Sequence, residues 1–197
     1  MPLPPRLTHF KSTAIHLAVF GGMSLAVART QQIELFPTEG VHLLPGMVAG
    51  AALYAIAVAC MWARWRRAVE RGAMAVHFFV AESATERAWW TGVSVLAGAS
   101  EEITWRGVQT ALLVPLTGSP AVAALLSAVS FGVAHMTQGW RSAALIVLFG
   151  LGFQGVVWVS GSLYVAIVVH IAYDLTAGLT YGRLARELGY EPARDGT

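Results

Sequence analysis

The sequence predicts an all-α fold, a polytopic membrane bundle of about six transmembrane helices with both termini in the cytoplasm. Three observations carry that prediction. Of the 197 residues, 56% are hydrophobic and only 12% charged, and the mean hydropathy is +0.59, more apolar surface than a water-soluble domain of this size can hide. The apolar residues fall in runs about as long as a bilayer is thick, separated by short segments rich in glycine, proline and charge. The basic residues gather between the runs, where cytoplasmic loops carry them. Although the net charge is +2, these cations are topology signals and form no basic face, so no nucleic-acid partner is expected. No linker, repeat or low-complexity tract divides the chain, and residues 1–197 are read as a single integral membrane domain.

In chain order, the first apolar run covers residues 12–28, behind Pro2, Pro4, Pro5, Arg6 and Lys11. It is read as a transmembrane helix, with a cleaved signal peptide as the alternative, because Ala26-Val27-Ala28 imitates a peptidase site. Residues 29–44 hold turn signals, and a second span runs over about 45–63 with Pro45 suited to its first turn. The lone cysteine, Cys60, cannot form an internal disulfide and is read as a small core residue. Arg64, Arg66, Arg67 and Arg71 are the densest basic cluster and mark a cytoplasmic loop. Residues 73–88 mix Val76, Phe78, Phe79 and Val80 with His77, Glu82, Glu86 and Arg87, which predicts an amphipathic helix on the membrane surface.

Trp89-Trp90 read as an interfacial anchor opening a third span that ends near residue 115. Gly118-Ser119-Pro120 turn into a fourth, about 120–138; a fifth covers about 142–158. Ser160-Gly161-Ser162 turn into a sixth, about 162–181, before a polar tail ending in Arg194-Asp195-Gly196-Thr197. With both termini in the cytoplasm, every Lys and Arg except Arg29 and Arg106 falls on the cytoplasmic side.

The third span also carries Ala97-Gly98-Ala99-Ser100-Glu101-Glu102-Ile103-Thr104-Trp105-Arg106. A charge at mid-membrane costs about 2.5–3.5 kcal/mol on insertion scales, so adjacent carboxylates there need partners, protons or a metal. The stretch is read as a functional site; the plainer alternative is a structural ion pair with a spare acid. Glu102 and Arg106 are one helical turn apart, while Glu101 points about 100° away. The ionisable groups within spans are Glu101, Glu102, Arg106, His135, His170 and Asp174, with His16 nearer an end and none in spans two and five. Their concentration in spans three, four and six predicts that those helices face one another. Phe131 with His135, and His170 with Asp174, are each i, i+4 and present one edge to a common cavity. With neutral histidines the acids outnumber the bases, so a shared proton or a bound cation is expected.

Glu101-Glu102-x-x-x-Arg106, then Phe131-x-x-x-His135, then His170-x-x-x-Asp174, in that order on separate spans, resemble the CPBP family of intramembrane proteases. That family includes the CAAX prenyl endopeptidases and the bacterial Abi proteins linked to bacteriocin processing or self-immunity. The resemblance covers about residues 89–178, which it implies to be the catalytic core, and leaves the two-span region 1–88 without a motif. It implies a multi-pass protein of the plasma (inner) membrane, hydrolysing peptide bonds at a water-accessible cavity. The implied partners are the lipid bilayer and a membrane-associated peptide or protein, lipidated in the prenyl-protease case; bacteriocin precursors and C-terminal sorting tails are the other substrate readings. By position, Glu101 corresponds to the carboxylate that activates water and His135 to the histidine that helps bind it. His170 and residue 174 correspond to the groups that hold the scissile carbonyl and its oxyanion. Glu102 and Arg106 support the helix, and Phe131 belongs to the second motif.

This chemistry requires no cofactor, but one departure opens an alternative. The prenyl-protease pattern has Asn where this chain has Asp174, and an ionised Asp donates no hydrogen bond to an oxyanion. Asp174 is then protonated, or orients His170, or binds a cation. The last option makes Glu101, His135 and His170 ligands of Zn²⁺ in a metalloprotease. Other intramembrane proteases fit less well: HExxH is absent, Trp158 stands where the GxSG before Ser160-Gly161 needs Gly, and Tyr173-Asp174 has no GxGD partner. Two further classes compete. A proton- or cation-coupled transporter would also use Glu, His and Asp in helices, but the chain is small and shows no inverted repeat. A non-catalytic immunity or scaffold protein of the same fold would have no use for the intact Glu101, His135 and His170.

Overall fold

The computed structural model describes residues 5–71 and 74–189, and within them all regular structure is helical. Pro2, Pro4 and the tail Arg194-Asp195-Gly196-Thr197 lie outside the described residues. The chain folds as α1 (Arg6–Thr30), α2 (Leu43–Glu70), a short α3 (Met74–Phe79) and α4 (Ala84–Glu101). α4 continues without a break through a π-helical segment, Glu102–Gln109, into α5 (Thr110–Thr117). Then come α6 (Pro120–Ala134), a 3₁₀ turn at Met136–Gln138, α7 (Trp140–Ser160) and α8 (Leu163–Glu187). α1, α2, α7 and α8 are long and apolar enough to cross a membrane, and α6 is a shorter apolar helix. The fold is a polytopic helical bundle.

The boundaries follow local chemistry. Gly118 takes φ 65° at the end of α5, Ser119 Oγ accepts from the Val122 backbone N–H, and Pro120 fills the first turn of α6, where its missing N–H costs nothing. Gly161 (φ 70°) and Ser162, which caps Tyr164, repeat the device between α7 and α8. α4 opens with a capping box in which Ser83 and Glu86 satisfy each other's backbone N–H groups.

α8 is the central helix, packed against α4, α2 and α7; α1 covers the far side of α4, and α6 packs between α7 and α5. The lipid-facing side shows in α1, where Phe10, Ala14, Gly21, Ser24 and Ala28 are buried while Ile15, Val19 and Met23 stay exposed. α4 and α8 come close enough to need glycine: a Cβ on Gly98 would stand 2.6 Å from Ile171 Cγ1 and 3.0 Å from its backbone nitrogen.

Four expectations are corrected. The 73–88 segment is not a surface helix: α3 ends at Phe79, residues 84–88 belong to α4, and Val76, His77 and Val80 are buried, the two valines against Trp65, Tyr181 and Leu184. Trp90 is not an interfacial anchor; it is 8% exposed, packs on Phe10 and donates from Nε1 to the Asp174 carbonyl at 3.3 Å. Cys60 is exposed on α2 and is not a core residue. Finally, α2 runs on to Glu70, so Arg64, Arg66 and Arg67 are helical and not in a loop.

Candidate active site

The first motif sits where the helical ladder widens. From Glu102 the backbone passes into π-helix, a rare form that occurs mostly as single turns and often at functional sites. The widened turn leaves the Trp105 carbonyl accepting from Thr110 Oγ1 at 2.8 Å and from Ser127 Oγ on α6 at 2.6 Å. That couples the motif helix to the helix bearing Phe131 and His135. Glu101 and Glu102 then diverge as their spacing predicts: Glu102 is fully buried, while Glu101 lines a cavity.

Glu102 is the hub of a buried polar cluster. Its Oε1 accepts from His170 Nδ1 at 2.7 Å and lies 3.2 Å from Arg106 Nη1, outside hydrogen-bonding geometry. The Arg106 guanidinium sits over the Phe131 ring at 4.3 Å and near the Phe153 ring at 5.4 Å, so two aromatic faces supply much of its environment. Gly150 leaves room for it, since a Cβ there would be 3.2 Å from Nη2. His170 stacks on Phe153 with ring centroids 5.2 Å apart.

With Nδ1 committed to Glu102, His170 turns Nε2 toward Glu101 Oε2 at 3.7 Å and Asp174 Oδ2 at 3.8 Å. His135, just past the end of α6, donates from Nδ1 to the Phe131 carbonyl at 2.8 Å. A carbonyl only accepts, so Nδ1 carries the proton and, in the neutral ring, Nε2 holds a lone pair. Glu101, His135, His170 and Asp174 line one cavity of about 460 Å³ together with Phe131 and Phe153. The cavity continues away from them between α1, α2, α7 and α8, along His9, Phe10, Arg64, Trp65, Phe149 and Tyr181.

All seven residues singled out from the sequence therefore meet: Glu101, His135, His170 and Asp174 on the cavity, Phe131 in its wall, Glu102 and Arg106 behind it. His16 is exposed, with Nδ1 on the Ser12 carbonyl at 2.7 Å, and takes no part. Among the described residues no three His, Cys, Asp or Glu side chains are grouped to hold an ion as they stand. Sequence reasoning missed Phe153, Tyr173 and Arg64. Phe153 lies in an unbroken apolar run that carries no signal. Arg64 carried one, since Ala57, Met61, Arg64, Trp65 and Ala68 all line the cavity at the spacing of one helix face.

Residues 83–176 match the family of the type II CAAX prenyl endopeptidases, Rce1-like. The matched stretch is just under half of the chain. It begins at the Ser83 cap of α4, ends at Thr176 in α8, and contains every motif residue named above. The Rce1-like family is a protease family. α1, α2 and α3 lie outside the matched segment, although α1 and α2 supply one side of the cavity. No curated protein and no solved structure matches the chain.

Proposed function

We propose that the chain is an intramembrane endopeptidase in which Glu101 activates a water molecule for attack on a peptide carbonyl. One observation carries the reading: the acid of the first motif and the histidines of the second and third line a single cavity inside an apolar bundle. Within it, Glu101 takes a proton from water as the oxygen bonds to the carbonyl carbon, and returns it to the leaving nitrogen as the C–N bond breaks. His135 Nε2 accepts a hydrogen bond from the water and holds it. His170, fixed by its Nδ1–H bond to Glu102, presents Nε2 to the same space; when that nitrogen carries a proton it is the donor for the oxyanion. Asp174, in place of a neutral donor, shares that proton and orients the ring. Glu102 and Arg106 hold the frame.

The family match supports a membrane-associated peptide or protein as substrate. The setting proposed is a plasma (inner) membrane. Glu101→Gln is isosteric and removes only the base, so in reconstituted vesicles it should lower cleavage by about 10²–10⁴-fold with unchanged thermal unfolding. Cleavage at the wild-type rate would refute the assignment. Loss of activity on chelation with recovery on adding Zn²⁺ would replace this reading with the metal-dependent one.

A further inference from the structure

Thr110 breaks the hydrogen-bond rhythm of its helix. Along the continuous run from α4 to α5, Thr91, Ser94, Ser100, Thr104 and Thr117 each donate to the carbonyl four residues back, the spacing of an ordinary α-turn. Thr110 reaches five residues back, to Trp105 at 2.8 Å, and its own N–H is directed at the same carbonyl. Five is the π-helical spacing, so this side chain repeats the register of the widened turn where the helix returns to α. Ser127 Oγ comes from α6 to that carbonyl at 2.6 Å and lies 3.0 Å from Gln109 Oε1. Gln154 on α7 joins the cluster, its Oε1 3.3 Å from Thr110 Oγ1. Thr110, Ser127 and Gln154 are all buried, where a lost hydrogen bond leaves a polar group unpaired. None of the three lines the cavity.

We propose that Thr110 and Ser127 are positioning residues: by holding the Trp105 carbonyl they keep residues 102–109 in the π register that reserves Glu102 for His170. In an ordinary α-turn, Glu and Arg at i, i+4 pair with each other on one face. Here Glu102 Oε1 and Arg106 Nη1 are 3.2 Å apart without hydrogen-bond geometry, and the guanidinium lies over Phe131. Glu102 Oε1 accepts instead from His170 Nδ1 at 2.7 Å. The wide turn thus sends Arg106 to the aromatic rings and leaves Glu102 to the imidazole. Ser127 adds a second alignment. It precedes Phe131 and His135 by about one and two helical turns, so its bond to Trp105 sets where those residues stand relative to the motif helix. Both residues act through Glu102 and His170, and their effect on rate rests on the protease reading.

The test uses full-length protein in nanodiscs and a fluorogenic prenylated CAAX peptide, the class named by the matched family. Thr110→Val and Ser127→Ala each remove one hydroxyl and leave the other on the carbonyl, so each should lower kcat per folded molecule about threefold at unchanged KM. The paired variant leaves the carbonyl with neither and should lower kcat about 10²-fold, more than the product of the two. Thr110→Ser keeps the hydroxyl and should keep the wild-type kcat. Ser130→Ala, which removes a hydroxyl bonded to the Leu126 carbonyl within α6, should also leave kcat unchanged. A paired variant with wild-type kcat, or a loss confined to KM or to the folded fraction, overturns the proposal. If the paired variant fails to fold, the single variants carry the same prediction. A second readout needs no cleavage. In protein carrying isotope-labelled histidine, the His170 Nδ1 proton, identified by its absence from His170→Gln, is deshielded by the Glu102 carboxylate in the NMR spectrum. The Thr110 and Ser127 variants should shift it upfield, and Thr110→Ser should not. If no form of the protein cleaves the peptide but the signal shifts, the positioning stands and the protease reading falls. A signal that does not move overturns the positioning, whatever the rates.

Discussion

Glu102 illustrates how a buried charge decides the consequences of its neighbours. It is fully buried, and among the described residues its Oε2 makes no hydrogen bond and its charge is offset by Arg106 and by His170. Removing one partner of such a pair leaves an uncompensated ion, whereas replacing both by neutral groups of similar size is far milder. Arg106→Ala should therefore lower stability by about 3–5 kcal/mol, read as a fall in the thermal unfolding midpoint in detergent. Arg106→Met combined with Glu102→Gln should recover much of that loss. If the double variant is no more stable than Arg106→Ala, the pair is not the source of the cost. The recovered protein should still cleave poorly, because Gln at 102 no longer holds His170 Nδ1 as a charge-assisted acceptor.

At the scale of the helix, the site depends on how closely α4 and α8 approach, since one carries Glu101 and the other His170 and Asp174. Gly98 lies one turn before Glu102, and a methyl there would press on Ile171, the residue after His170. Gly98→Ala should cost about 1–3 kcal/mol through overpacking and reduce activity more than stability alone explains. Equal activity per folded molecule would show that the spacing is not critical. The sequence made this much legible because charge in an apolar span is conspicuous and its i, i+4 spacing fixes a face. It did not reveal the π-helical widening after Glu101, which no residue pattern marks, nor the role of Phe153, one apolar side chain among many. The 73–88 segment misled for a related reason. Its mixed polarity is that of a surface helix, but its glutamates serve a cap and an ion pair while its valines enter the core, so polarity reported partners and not the lipid surface.

Across the whole molecule, the segment that matches the Rce1-like family carries the candidate site and α1 and α2 supply the opposite wall of the cavity, so the proposed reaction needs the two regions held together. On one side that join is ionic. Arg6, at the start of α1, donates to Glu82 at 2.8 Å and to Glu86 at 2.9 Å, at the rim of α4 before its apolar run. Burial alone would raise the Glu86 pKa, but the Ser83 N–H, the Arg6 guanidinium and the Glu82 N–H outweigh it and hold the carboxyl below its ordinary value of 4.5. A carboxyl whose pKa is lower when folded stabilises the native state above the unfolded pKa, and that contribution disappears as pH falls through the folded one. Wild type should therefore unfold at a higher temperature than Glu86→Gln by a constant margin above about pH 5, and the margin should shrink as pH falls through 4. Gln at 86 keeps a side-chain acceptor for the Ser83 cap, so the comparison isolates charge. A margin that does not change with pH would mean that the Glu86 charge adds nothing to the hold on α1, leaving the Arg6–Glu82 pair and the packing of Phe10 to supply it.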